Sequence, residues 1–335
     1  MLLDIFQYKE PFTLESGVTL PGFHLAYHTW GTLNENCDNV VWVFHALTAN
    51  SNPHEWWPGI VGHDRLFSPD DFFIICVNMP GSCYGSISPL DVDIHTGKPF
   101  YHSFPPFTTR DMIRSYQYLR EALNIRKIKY GIGGSMGGQQ LLQWAIEEPT
   151  VFETIIPIAT NACHSQWGIA YNESQRWAIE ADATWITKSD KAGLNGMKIA
   201  RSIALLSYRN YSSYSTSLQE SVGKNAITYQ RYQGEKLARR FNAFSYHTLT
   251  KSMDSHNVKR AGLTISQSLQ LIQANCHLIG ISSDILFPVS EQKILAETIA
   301  GSTLDIIDSL FGHDGFLIES EAITDSILKW QSNKK

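Results

Sequence analysis

Uninterrupted apolar runs alternate with stretches of helical periodicity along the first half of the chain. Val40-Val41-Trp42-Val43-Phe44 and Phe72-Phe73-Ile74-Ile75-Cys76-Val77 have the pattern of strands buried on both faces. Each leads into a polar loop rich in Gly, Pro and Asn, 45–58 after the first and 78–99 after the second. Thr108 or Thr109 then caps a predicted helix in which Met112, Ile113, Tyr116, Leu119 and Leu123 recur at helical spacing. A β-branched stretch at 125–132 predicts another strand, Gln139 to Ile146 a helix, and Thr154-Ile155-Ile156-Pro157-Ile158-Ala159 a further strand. This alternation predicts an α/β fold with a mostly parallel sheet and helices on both faces.

The pattern changes after Cys163. From 164 to 259 there is no clear buried-strand run, and Trp, Tyr, Gln, Ser and charged residues dominate. Trp177 to Ile186 and Met197 to Leu206 have helical patterns. The segment reads as an inserted helical lid, 164–259, between core segments 1–163 and 260–335. Leu278-Ile279-Gly280-Ile281 and Leu304-Asp305-Ile306-Ile307 return to the strand pattern.

Composition excludes several classes of function. The 335 residues are 43% apolar and 18% charged, with a formal net charge of −5 and no basic run. Nucleic acid and anionic membranes are therefore not the expected partners. No stretch approaches the roughly 18 apolar residues of a membrane span, and the first ten residues carry an early acid and no long apolar core, unlike a signal peptide. Five cysteines without CxxC spacing argue against a disulfide framework or a metal knuckle and point to a reducing cytoplasm.

The chemistry is concentrated in Gly131-Ile132-Gly133-Gly134-Ser135-Met136-Gly137-Gly138. A Gly-x-Ser-x-Gly between a strand and a helix lifts a serine hydroxyl to a helix N-terminus on a strained turn, the nucleophile turn of the α/β-hydrolase fold. A serine hydroxyl needs a base, and the base needs an orienting group. In this fold the order is Ser, acid, His, each on a loop after a late strand. Asp284, after Leu278 to Ile281, and His313, after Leu304 to Ile307 and between Gly312 and Asp314, occupy those positions. Two backbone N–H groups are also needed for the oxyanion. Met136, directly after the serine, supplies one, and Leu47, in the loop after the first run, supplies the other. His45 in that loop reads as an anchor, and Cys83 as a buried, inert thiol.

Many short motifs in order resemble the homoserine O-acetyltransferase family of methionine biosynthesis. They include His45-Ala46-Leu47-Thr48, Gly81-Ser82-Cys83-Tyr84-Gly85-Ser86, Thr96-Gly97-Lys98-Pro99, Phe104-Pro105 to Arg110-Asp111-Met112, and the turn around Ser135. His164-Ser165-Gln166-Trp167, Tyr232-Gln233-Gly234-Glu235-Lys236 and Gly312-His313-Asp314-Gly315-Phe316-Leu317 extend the match through the insert to the end of the site. The resemblance implies ping-pong acyl transfer. Ser135 takes the acetyl group of acetyl-CoA, and His313 then activates the hydroxyl of L-homoserine. It also implies that Arg201 clamps the acceptor's carboxylate, with Tyr208 on the same helical face, and that Asp314 holds its ammonium. Acetyl-CoA is the co-substrate, with no permanently bound cofactor or metal, and lid aromatics imply a homodimer. Tyr84 departs from the family, which more often has lysine there. Transfer of succinyl, serine as acceptor, hydrolysis by an esterase, and a non-catalytic binding protein are the alternatives.

Overall fold

The computed structural model describes residues 3–219 and 225–334; positions 220–224 of the predicted insert lie outside them. Eight strands form the main sheet: β1 Asp4–Tyr8, β2 Phe23–Trp30, β3 Val40–Phe44, β4 Phe73–Val77, β5 Ile128–Gly134, β6 Phe152–Ile158, β7 Asn275–Ile281 and β8 Thr303–Ile307. Their order is β1-β2-β4-β3-β5-β6-β7-β8. β2 runs antiparallel to both neighbours, and the pairs from β4 to β8 are parallel.

β3 shows why continuous apolar runs were needed. Alternate residues of a strand point to opposite faces. Val40, Trp42 and Phe44 enter one core, with Tyr116 and Trp144. Val41 and Val43 enter the other, with Ile74, Ile156 and Ile279. Trp42 and Trp144 meet edge to face, centroids 4.8 Å apart. The N-terminal strands β1 and β2 had no run of this kind and were not anticipated.

The longer helices are α1 Thr109–Ala122, α2 Met136–Glu147, α3 Gln166–Glu180, α4 Leu194–Tyr208, α5 Tyr211–Gln219, α6 Ala226–Ala238, α7 Ala243–Asp254, α8 Val289–Thr298 and α9 Ser320–Ser332. Of these, α1, α2 and α8 contribute to one core and α9 to the other, so both faces of the sheet are covered. Thr108, not Thr109, caps α1. Its hydroxyl accepts from Asp111 N–H, while Asp111 accepts from Thr108 N–H at 3.1 Å, a reciprocal capping box. Between β6 and β7 the described residues form helices α3 to α7, a short helix at Ile265–Leu269 and no strand of the sheet. α3 packs on α4 and α7, α4 packs on α6, and α4 also contacts the turn at Gly312–Asp314.

The helix expected from Trp177 to Ile186 ends at Glu180 instead. Asp182 is the reason. Its carboxylate accepts from Thr184 N–H at 2.9 Å and from Asn195 and Gly196 N–H, both at 3.0 Å. A side chain that turns its own backbone competes with helix continuation, and here it also caps the start of α4.

Several histidines are buried as neutral struts. His277 on β7 hydrogen-bonds Thr303 Oγ1 at 2.8 Å and Ser326 Oγ at 2.9 Å, joining β7, β8 and α9. His256 Nε2 donates to the Asn161 carbonyl at 3.0 Å. Burial lowers His45, His164 and His277 to about 4 and His256 to about 3, from an ordinary 6.5. Between pH 6.5 and 4 the unfolded chain therefore binds more protons than the folded one. Stability is complete above that window and is lost as pH falls through it. Glu291, which burial raises from 4.5 to about 7, and Asp111, Glu147 and Asp254, also raised by burial, act in the opposite sense, while His28, His54 and His247, lowered by burial, act with the four histidines. Thermal melts should show a midpoint near its maximum around neutrality that falls steadily from pH 6.5 to 4.5, each histidine contributing up to ~1.4 kcal/mol per pH unit. A flat profile would contradict this.

Candidate active site

Ser135 joins the end of β5 to the start of α2, with φ 59° and ψ −128°. A non-glycine residue at positive φ is strained, and the surroundings hold it there. Ser135 N–H donates to Ile158 O at 3.0 Å, and its carbonyl accepts from Thr160 Oγ1 at 2.9 Å and Gln139 N–H at 3.1 Å. The flanking glycines are required by close approach. A Cβ on Gly137 would lie 2.2 Å from the Phe44 carbonyl oxygen, and one on Gly133 would lie 2.7 Å from the Gly137 backbone.

Asp284 sits in the turn after β7 and is buried. Its Oδ1 accepts from Leu286 N–H at 2.8 Å and Phe287 N–H at 2.9 Å. Its Oδ2 accepts from His313 Nδ1 at 2.6 Å. The acid is thus locked by the backbone on one side and turned to the ring on the other. This bond fixes the proton on Nδ1 and leaves Nε2 as the basic nitrogen. Nε2 is buried with no hydrogen-bond partner among the described residues. The rings of Phe287, Phe316 and Tyr208 surround the imidazole at 5.0, 5.2 and 5.8 Å. Gly312, at φ 63°, allows this: a Cβ there would meet the Arg209 backbone at 2.8 Å.

The loop after β3 faces the serine. Buried His45 is held neutral and accepts from Met79 N–H at Nε2, 3.1 Å, so its proton lies on Nδ1, 2.9 Å from the Ala46 carbonyl. Ala49 N–H donates to the same carbonyl at 3.0 Å. With Ala46 C=O pinned, the planar trans peptide turns Leu47 N–H the opposite way. Among the described residues, neither Leu47 N–H nor Met136 N–H has an acceptor. His45 is an anchor for the peptide that carries the Leu47 donor.

Ser135, His313, Leu47, Arg201, Tyr208 and Asp314 all line one cavity of about 450 Å³. Asp284 lies behind His313, and Met136 is buried at the start of α2. Arg201 is 5.3 Å from the Tyr208 ring and has no carboxylate partner among the described residues. Asp314, by contrast, has a cationic partner: Arg209 Nε lies 2.9 Å from its Oδ2, an ionic contact without hydrogen-bond alignment. Arg209 carries no periodic signal, and only the approach of the end of α4 to the 312–314 turn reveals it. Arg240 and Lys236, from the insert, also line the cavity. Arg240 hydrogen-bonds the Tyr84 hydroxyl, which is what the unusual residue at 84 contacts. Burial raises the Cys83 thiol from 9.0 to about 11, poor chemistry for a nucleophile. Among the described residues no cluster of three His, Cys, Asp or Glu side chains could hold a metal ion.

Residues 39–320 match the family model of the alpha/beta hydrolase fold. The chain is 44% identical to a homoserine O-acetyltransferase of Cyclobacterium marinum, over 96% of this chain and 93% of that protein. Among solved structures, a homoserine O-acetyltransferase from Bacillus anthracis superposes with a TM-score of 0.85 at 21% identity, covering 97% of this chain and 96% of that one. An acetylester hydrolase from Corynebacterium glutamicum does so with a TM-score of 0.87 at 22% identity, covering 97% and 93%. At such identities the structural likeness establishes the fold and does not separate transferase from hydrolase.

The locked geometry of Asp284 generates a direct test. Asp284→Asn would offer an amide where His313 Nδ1 needs an acceptor, favouring the tautomer with Nε2 protonated. Hydrolysis of p-nitrophenyl acetate should fall by about 10⁴ while the thermal midpoint changes little. Activity within a few-fold of the parent would rule out a base that depends on this carboxylate.

Proposed function

Because the chain belongs to the homoserine O-acetyltransferase family of α/β hydrolases, we propose that it transfers an acetyl group from acetyl-CoA to L-homoserine through an acyl-Ser135 intermediate. The product is O-acetyl-L-homoserine, on the route to methionine. In the first half-reaction Ser135 Oγ attacks the thioester carbonyl, and His313 Nε2 takes its proton. Asp284 stabilises the imidazolium through Nδ1–H. The N–H groups of Leu47 and Met136 receive the developing oxyanion, a contribution of about 2.7–4 kcal/mol per donor. His313 returns the proton to the CoA sulfur as the thiolate leaves. In the second half the same nitrogen takes the proton of the homoserine hydroxyl, whose oxygen attacks the acyl carbon, and then returns the proton to Ser135.

The observation that carries acyl transfer over hydrolysis is Arg201, a cation without a carboxylate partner in the cavity that holds Ser135 and His313. Its planar fork suits a carboxylate, and Tyr208 keeps it in position from the same helix. Asp314, one residue from the base, takes the acceptor's ammonium, with Arg209 orienting the carboxylate. Segment 164–259 acts as a lid on the core formed by 1–163 and 260–335, closing the cavity against water. Five free cysteines fit the reducing cytoplasm. Trp177, Ile199, Leu206 and Ile227 are exposed on the insert, an apolar surface that supports a homodimer formed through the insert. Sedimentation velocity should give a dimer, and Trp177→Glu combined with Ile199→Glu should give a monomer; a monomeric parent would refute that assembly.

The activity is tested by mixing the protein with acetyl-CoA and L-homoserine and following thiol release, with succinyl-CoA and L-serine as competing substrates. Acetyl-CoA and homoserine should be the preferred pair. Arg201→Ala should lower transfer to homoserine ~100-fold or more while leaving hydrolysis of p-nitrophenyl acetate nearly intact. Equal loss of both activities would contradict the assignment of Arg201 to the acceptor.

A further inference from the structure

The loop that carries Leu47 is held from three directions. The core holds it at one end through His45, which bonds the Ala46 carbonyl and accepts from Met79 N–H. It holds the other end through Asn78, whose Oδ1 accepts from Ser51 N–H at 2.7 Å and whose Nδ2 donates to Ser51 Oγ at 2.8 Å. The middle is held from the insert. Arg240, two residues past the end of α6, reaches back to the loop, where its Nη1 donates to the Thr48 carbonyl at 2.6 Å. The same nitrogen donates to the Tyr84 hydroxyl, and the Cys83 thiol meets the Arg240 carbonyl at 3.5 Å. Tyr84 packs edge-on against Phe241, centroids 5.7 Å apart, and its own carbonyl accepts from Asn78 Nδ2 at 2.7 Å.

No carboxylate pairs with Arg240 among the described residues. Its charge is directed at a carbonyl and a phenol, and charge-assisted hydrogen bonds of this kind are the stronger ones. Position 84 is matched to it. A tyrosine hydroxyl can accept from a guanidinium, whereas a lysine there would set one cation against another. The Thr48 carbonyl lies two peptide planes beyond the one that carries Leu47 N–H, so fixing it adds to the hold on the Ala46 carbonyl by restraining the backbone angles of Leu47 and Thr48.

We infer that Arg240 is a positioning residue that, paired with Tyr84, ties the insert to the Thr48 carbonyl and so sets the Leu47 N–H donor. The loop is fully tethered only while the insert rests on the core, which links closure over the cavity to transition-state stabilisation at Ser135. The inference rests on the proposed function for one point, acylation of Ser135 with Leu47 N–H as an oxyanion donor, which transfer and hydrolysis share.

The test is the acylation burst with p-nitrophenyl acetate, which needs neither CoA nor homoserine. A parent protein that bursts but transfers nothing from acetyl-CoA would sink the transferase reading and still test this one. Arg240→Gln should slow the burst about tenfold, less than outright loss of an oxyanion donor, with half-saturation and thermal midpoint nearly unchanged. Arg240→Lys, which can still donate to Thr48, should recover part of the rate. Tyr84→Lys should slow the burst like Arg240→Gln, and Tyr84→Phe should do so only a few-fold. A parental burst rate in both Arg240→Gln and Tyr84→Lys would overturn the inference. So would a defect lying wholly in half-saturation, or one that Arg240→Lys does not relieve.

Discussion

The backbone of Gly137 comes so near the Phe44 carbonyl that no side chain fits between them. This one approach organises the site. It brings the start of α2 against the end of β3, so the serine turn and the loop after β3 meet at the C-terminal edge of the sheet. Met136 N–H comes from one and Leu47 N–H from the other. The two N–H groups proposed to receive the oxyanion are therefore brought together by how a strand and a helix are forced against each other. Crossing ligand sites at the C-terminal ends of parallel strands are a general property of such sheets, and here the glycines make the crossing tight enough for chemistry.

What the fold does not decide is where an acyl group on Ser135 would go. An acetylester hydrolase and a homoserine O-acetyltransferase share this architecture. The difference proposed here lies in the side of the cavity built from the insert. Arg201 and Tyr208 come from α4, and Asp314 is held by Arg209 just beyond that helix. Three aromatic rings pack around the imidazole of His313. In the proposed reading a zwitterionic acceptor would gain two ionic contacts there that water cannot make, and transfer would be favoured by binding rather than by different chemistry at the serine.

Much of this was legible in the sequence because it rests on local rules. Apolar runs marked the central strands, glycines around Ser135 marked the turn, and chain order singled out Asp284 and His313. The parts that were not legible depend on contacts distant along the chain. Helix α3 stops at Glu180 because Asp182 caps α4 and turns its own backbone, which periodicity cannot register. Arg209 matters because the end of α4 lands on Gly312. Arg240 matters because it reaches a carbonyl 192 positions earlier. The unusual Tyr84 was visible in the sequence, but its partner was not.

The central claim is that Ser135 carries an acetyl group that an amino-acid hydroxyl removes. The most direct measurement is intact-protein mass spectrometry after mixing with acetyl-CoA, followed by a chase with L-homoserine. The account predicts one acetyl group on Ser135, stable for a time in buffer and discharged rapidly to O-acetyl-L-homoserine when the acceptor is added. An unmodified Ser135, or an acetyl group lost to water at the same rate with and without homoserine, would contradict it.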